Sequence, residues 1–498
     1  MVDVNGMFAR SNKNINRNYG AFMPRFISKK GHLGNRRKQH VVGRLIVNCM
    51  VCIIPLLSCA NASASTDEDW KIAEQIVNQI QLPNIPNEKF VVDVSDTSLS
   101  AARAPIQRVI DKASASGGGI VVVPKGTWQV DGPIRLKSKV NLHLEEGATL
   151  LFSGDPSHYL PVVKTRWEGT EVFTYSPLIY ALNVEDVAIT GKGTIDGNAQ
   201  SAFIGWYEKQ NTDMHALRKM GFDGVPVEKR QFGEGHYLRP PLIQFFHAKR
   251  VLLEDYTALN SPFWVNHLVY TSHATVRRVK VESHLYNNDG LDIESSQFVL
   301  AEDNHFRTGD DGIVIKSGRD ADGRNIGIPS TDIVARNNDL GGEDGIGLGS
   351  EMSGGIKRVF FENNVLHEGD SAYRFKSNLD RGGRVEMVRI RGSKVASFKH
   401  LFWFQLNYPS NLHGNFPATY TDIIIEDLTV ENVGTVLEIH APDAAPVHNL
   451  KFKDIKIKEA EEILILENAD DISFENVSIG EQVWNGTFSS LHIESVTR

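Results

Sequence analysis

A short alternation of apolar and polar residues recurs along most of this 498-residue chain. It appears as RVLLEDYTA (250–258), TVRRVKVES (275–283), FVLAEDNHF (298–306), DIVARNNDL (332–340), RVFFENNVL (358–366), MVRIRGSKV (387–395), DIIIEDLTV (422–430), NLKFKDIKI (449–457) and DISFENVSI (471–479). Strict alternation marks a half-buried strand. Successive copies start about 22–35 residues apart, the spacing of a solenoid. Each copy runs strand, turn, strand, turn, with no hairpin signal between copies. This predicts an all-β, single-domain, right-handed parallel β-helix whose coils stack roughly 4.8 Å apart. Asn at equivalent turns (Asn337-Asn338, Asn363-Asn364) is expected to stack as a ladder that bonds the turn backbone. A sandwich fits less well, and the repeat is too short for a four-stranded propeller blade. Helical patterns are confined mainly to 69–81 and 101–115.

Length alone suggests several domains, but repeat folds grow in one dimension and escape that rule. The formal net charge of -8 argues against a nucleic-acid partner. An acidic ligand would then need a local cluster of Arg and Lys. Residues 10–44 are basic and lack acids, and 45–57 (LIVNCMVCIIPLL) form an apolar run too short to span a bilayer. Ala60-Asn61-Ala62 suits a signal cleavage site, and Leu56-Leu57-Ser58-Cys59 resembles a lipoprotein box. Residues 1–65 are therefore read as a basic region plus export signal, 66–90 as a lead-in, and 91–498 as the β-helix. The expected product is exported, either free or anchored through Cys59, and monomeric. All three cysteines (Cys49, Cys52, Cys59) lie in the leader, so no disulfide is expected in the body. Residues 198–240 break the repeat and should form a loop on one face, often the binding face.

Two neighbouring turns carry acids: Asn287-Asn288-Asp289-Gly290 and Gly309-Asp310-Asp311-Gly312. Asp289 and Asp310 stand about one repeat apart, hence on one side of successive coils. That separation is on the order of 5–10 Å, the range of glycosidase carboxyl pairs, and leaves inverting and retaining chemistry both open. Crowded like charges push at least one carboxyl up in pKa, as a general acid requires. Lys316, then Arg374 and Lys376, supply positive charge on following coils. Arg374 and Lys376 are two apart, so they share a face suited to a carboxylate-bearing sugar. Asp292 and Glu294 read as solvated strand positions.

These blocks resemble the family 28 glycoside hydrolases, the polygalacturonases and their relatives. The resemblance rests on Asn287-Asn288-Asp289-Gly290, on Gly309-Asp310-Asp311-Gly312-Ile313-Val314-Ile315-Lys316 and on Arg374-Phe375-Lys376, in that order. It is supported by GGGIVVVPKGTW (117–128), ITGKGTIDG (189–197), NSPFWVNHLV (260–269) and SGRDADGRNIGIPS (317–330), and spans about residues 90–480. It implies a pectin-lyase-like solenoid and inverting hydrolysis of α-1,4-galacturonosyl linkages in pectin or an oligogalacturonide. Asp310 would protonate the leaving oxygen, and Asp289 and Asp311 would activate water. Asn287, Lys316, Arg374 and Lys376 would bind substrate, with no metal or cofactor. The bacterial branch it resembles acts from chain ends, which with the 198–240 insertion suggests exo action. The family's Gly-His-Gly block is absent: the chain reads Gly342-Glu343-Asp344-Gly345, and an acid there would repel a galacturonate carboxylate. Rhamnogalacturonan or a branched pectin is the alternative substrate, with His267 or His284 as replacements for the missing imidazole.

A lyase or esterase can occupy the same fold, which does not by itself fix function. A lyase would call for calcium and a basic proton acceptor. A non-catalytic glycan-binding β-helix would bind without releasing reducing ends.

Overall fold

Each repeat contributes short strands that pair in parallel with the equivalent strands one coil earlier and later. The computed structural model describes residues 59–93, 101–410, 412–491 and 494–497; the basic region and apolar run lie outside the described residues. Three columns of parallel strands build the right-handed β-helix expected from the repeat. The column that carries the acids runs through Asn266–Val269, Leu291–Glu294, Ile313–Lys316, Asp344–Leu348 and the ends of Val365–Lys376 and Lys394–Gln405.

Alternation sorts this column into two faces. Ile293, Ile315, Leu348, Phe375 and Phe404 are inward and fully buried, and the Phe375 and Phe404 rings stack with centroids 4.0 Å apart. Asp292, Glu294, Lys316, Arg374 and Lys376 occupy the alternate, outward positions.

The turns obey local chemistry. Asp255, Asp303, Asn337, Asn363, Asp427 and Asp454 all adopt φ between 52 and 71°, the left-handed region that Asn and Asp tolerate best. Beside them runs a buried Asn ladder. Asn304 donates to Asn338 Oδ1 (2.9 Å), and Asn338 donates to Asn364 Oδ1 (3.0 Å). Each Oδ1 also accepts a backbone N–H from the coil before it.

Besides helices such as Arg103–Ala115 and Asp320–Ile326, several features of the described residues fall outside the repeat pattern. Val163–Trp167 and Thr170–Thr174 form an antiparallel hairpin. The 198–240 insertion folds into short helices, chiefly Asn211–Phe222, and the strand Gln231–Phe232 that extends the hairpin. Gln482–Ser490 and Glu494–Thr497 add antiparallel strands to the last coils. The hairpin and insertion share an apolar cluster of Trp167, Val172, Leu217, Phe232, Leu238, Phe263 and Trp264. Burial of that cluster fixes them over the outward face of the acid-bearing column. Among the described residues no helix is long and apolar enough to cross a membrane.

Candidate active site

The Asp-Gly turns are more than convenient turns. A Cβ on Gly290 would come within 2.6 Å of the Gly312 carbonyl oxygen, and one on Gly312 within 2.6 Å of the Gly345 carbonyl oxygen. Close stacking of coils thus demands glycine at this step. Gly347 serves in another way: a Cβ there would lie 2.9 Å from Asp311 Oδ2, so its bare backbone leaves room for that carboxylate.

Strand register sets the acids in rows. The Gly290 N–H donates to the Asp311 carbonyl and the Gly312 N–H to the Asp344 carbonyl. Asp289, Asp311 and Asp344 therefore occupy one row, with Asp310 and Glu343 one residue ahead. The pairing partner of Asp289 is Asp311, rather than Asp310 as the repeat length suggests. Asn288 ties the first turn down, donating to the carbonyls of Ser261 (3.0 Å) and Phe263 (2.9 Å) and accepting from Ser283 Oγ (2.6 Å). Arg239 binds the carbonyls of Pro262 and Tyr286 and donates to Asn287 Oδ1 at 2.6 Å.

The acids face a cavity of about 260 Å³ lined by Asn287, Asp289, Asp310, Asp311, Lys316 and Lys376. Glu168 from the hairpin, Tyr207, Gln210, Asn211, Met214 and Arg218 from the insertion, and Trp264, Arg319, Ser350, Glu351 and Tyr408 complete it. The structure thus brings together six of the seven residues singled out from sequence. The seventh, Arg374, shares a strand and a face with Lys376 but does not line the cavity. It is stacked 3.5 Å over the Trp403 ring, and held by Asp344 and Asp370 (3.3 Å each) and Gln405 (2.6 Å).

Lys376 Nζ is 2.9 Å from both oxygens of Asp311 and 3.3 Å from Asp344. Lys316 Nζ lies 3.4 Å from Asp289, 3.6 Å from Asp292 and 3.3 Å from Glu351. Arg319 bridges Glu351 and Glu168.

Burial pushes the Asp289 carboxyl up to about 6; Lys316 pulls it down and Asp311 adds to the rise. Asp310, half-buried, is raised well above the usual range by desolvation and by Asp289, Asp311 and Glu343 together, against Lys376. Burial also raises Asp311, opposed first by Lys376. The arrangement therefore sets a carboxyl with a strongly raised pKa beside two carboxyls that lysine ammoniums draw back toward the ionised form. Among the described residues no cluster of three or more His, Cys, Asp or Glu is spaced to hold a metal ion.

Asp292 and Glu294, expected in solvent, are completely buried. Glu294 pairs with Arg166 of the hairpin (3.4 Å) and His267 (2.9 Å). Burial raises its carboxyl, but Arg166 and His267 outweigh that and hold it below the usual range. Alternation alone could not reveal a hairpin from far earlier in the chain closing over this face. His267 is thus a packed residue, and His284 is exposed and paired with Glu282. Neither lines the cavity.

The family model of the glycosyl hydrolases family 28 matches residues 120–478. The chain belongs to that family. This family 28 member is an O-glycosyl hydrolase of the polygalacturonase group. It is 30% identical over 362 residues to a probable polygalacturonase of Vitis vinifera, covering 70% of this chain and 68% of the relative. It is 25% identical to an exo-poly-alpha-D-galacturonosidase of Dickeya chrysanthemi, over 79% of this chain and 71% of that one. The solved structure of a hyperthermoactive exopolygalacturonase from Thermotoga maritima superposes with a TM-score of 0.82 at 34% identity, covering 86% of this chain and 99% of that one.

Proposed function

We propose that this family 28 hydrolase cleaves α-1,4-galacturonosyl linkages of pectin from the chain end, with inversion at the anomeric carbon. The observation that carries the reading is the place of Asp310, a half-buried carboxyl at the cavity beside Asp289 and Asp311, whose burial and neighbouring acids raise it well above the usual range. Asp310 protonates the leaving glycosidic oxygen. Asp289 and Asp311, each beside a lysine ammonium, orient and deprotonate the attacking water. Asn287, Lys316, Lys376 and Arg374 bind the sugar. Exo action is supported by the insertion, whose Tyr207, Gln210, Asn211, Met214 and Arg218 wall one side of the cavity.

Chromatography of products from polygalacturonate tests this directly. Galacturonate monomer released from the first minutes supports it, with anomeric inversion followed by proton NMR. A ladder of oligomers, or retained configuration, would overturn the corresponding half of the reading. The substitution Asp310→Asn is expected to lower kcat by about 10²–10⁴-fold, the span assigned to general acid catalysis.

A second substrate reading has a specific support. Asp344 already binds both Arg374 and Lys376, the two cations expected to grip a sugar carboxylate. That leaves less positive charge for galacturonate and suits a neutral neighbouring sugar, as in rhamnogalacturonan or a branched pectin. Faster turnover of those polymers than of polygalacturonate would select this reading.

Export and a monomeric state belong to the same proposal. The basic stretch 10–44 followed by the apolar run 45–57 supports export. N-terminal sequencing of the cell-associated and released protein separates cleavage near Ala62 from anchoring at Cys59.

A further inference from the structure

Asp292 lies on Leu291–Glu294, three residues after Asp289, and has no exposed surface. Neither of its carboxyl oxygens receives a hydrogen bond from any described N–H or O–H, and Asp289 Oδ1 is in the same position. The two carboxyl groups meet at one ammonium, Lys316 Nζ, at 3.4 and 3.6 Å, and each acts on the other's ionisation through a side-chain hydrogen bond. A proton between them would give both a partner; without it, two buried carboxylates would face each other with only the Lys316 ammonium, which Glu351 also shares, to offset them.

The surrounding charges do not supply an alternative. Lys316, from the next coil, divides its ammonium among Asp289, Asp292 and Glu351, and Asp292 is the most distant of the three at 3.6 Å. Asp311, also from the next coil, adds negative charge. His267 stands opposite Asp292 on the preceding coil, but its two ring nitrogens are engaged by Gln244 and Glu294. Glu294, on the same strand, is matched by Arg166.

We propose that Asp292 is a positioning residue that keeps its own proton and donates it in a hydrogen bond to Asp289. The bond holds Asp289 in one orientation and favours its ionised form, the form that accepts a proton from water. The inference rests on the reading of Asp289 as a base. Burial and the neighbouring Asp289 raise the Asp292 carboxyl well above the ordinary range, which agrees with the geometry.

The test compares Asp292→Asn, Asp292→Val and Asp289→Asn in the full chain. Asn is neutral and can donate to Asp289, so D292N should retain kcat within about three-fold and leave the acid limb of the kcat/KM profile in place. Val cannot donate, so D292V should lower kcat by about ten-fold or more at little changed KM, and move the acid limb to higher pH. An acid limb that moves to lower pH in D292N would mean that a negative charge had been removed, and would overturn the proposal. So would a D292V profile like that of the unaltered protein.

Infrared difference spectra give a readout independent of turnover and of D292V folding. At neutral pH the unaltered protein should show a protonated-carboxyl carbonyl band that D292N lacks, and its absence overturns the proposal. If D289N keeps full activity while that band is present, the base reading fails and the proton on Asp292 stands, without a catalytic consequence.

Discussion

Lys376 Nζ sits 2.9 Å from both carboxylate oxygens of Asp311, although the two residues are 65 positions apart in the chain. The contact spans two coils and passes over Gly347, whose missing side chain makes the space. Burial lifts the Asp311 carboxyl, and this ammonium is the main force opposing the rise. The charge state of the centre therefore depends on a residue that the strand register delivers.

Removing that cation should be costly. In Lys376→Met the acid limb of activity should move to higher pH, because Asp311 then meets burial and Asp344 with Lys316 alone opposing them. Breaking a buried pair by deleting one partner typically costs about 3–5 kcal/mol. Denaturant unfolding should show that loss, and initial rates the shift.

The rate should follow a bell in pH. In the proposed mechanism Asp289 works ionised, so activity should rise as pH increases through about 6, where its carboxyl loses its proton. As the proposed general acid Asp310 works protonated, so activity should fall at the higher pH where that raised carboxyl ionises. Reducing-end release measured across pH checks both limbs. In Asp310→Asn the alkaline limb should vanish with the activity.

Glu343 is one of the negative charges that keep Asp310 protonated. Glu343→Gln should lower the Asp310 carboxyl and move the alkaline limb to lower pH, with the acid limb changed less. An alkaline limb that stays in place would remove Glu343 from the account.

Asp344 holds Arg374 and Lys376. Asp344→Asn should free both for a substrate carboxylate and lower KM for polygalacturonate more than for a neutral-sugar substrate. KM values for the two polymers, measured side by side, are the check.

The Asn ladder should matter to stability alone. Asn338→Ala leaves the Asn304 N–H and the Ala301 carbonyl without their side-chain partners in the core. Each buried unsatisfied group costs about 1–3 kcal/mol. Urea unfolding should report a loss of that order, with KM unchanged.

The sequence by itself determined the architecture and the chemical class. Strict alternation at a solenoid period has one economical solution, and the inward rows Ile293, Ile315, Leu348 and Phe375 follow from it. The ordered Asp-Gly blocks placed Asp289, Asp310 and Asp311 on one side, and the Asn ladder followed from turn chemistry repeated each coil. Only the tertiary structure decided which outward residues meet solvent. Glu294 and Asp292 share the alternation of any exposed strand position, yet Arg166, His267 and Lys316 surround them. Arg374 and Lys376 occupy the same face, yet Asp344 claims both. The physical reason is that a strand's period records which face a side chain takes and carries no record of what later packs on that face. Here the cover comes from a hairpin and an insertion held by their own apolar cluster, contacts that cross the repeat and leave no period in the chain.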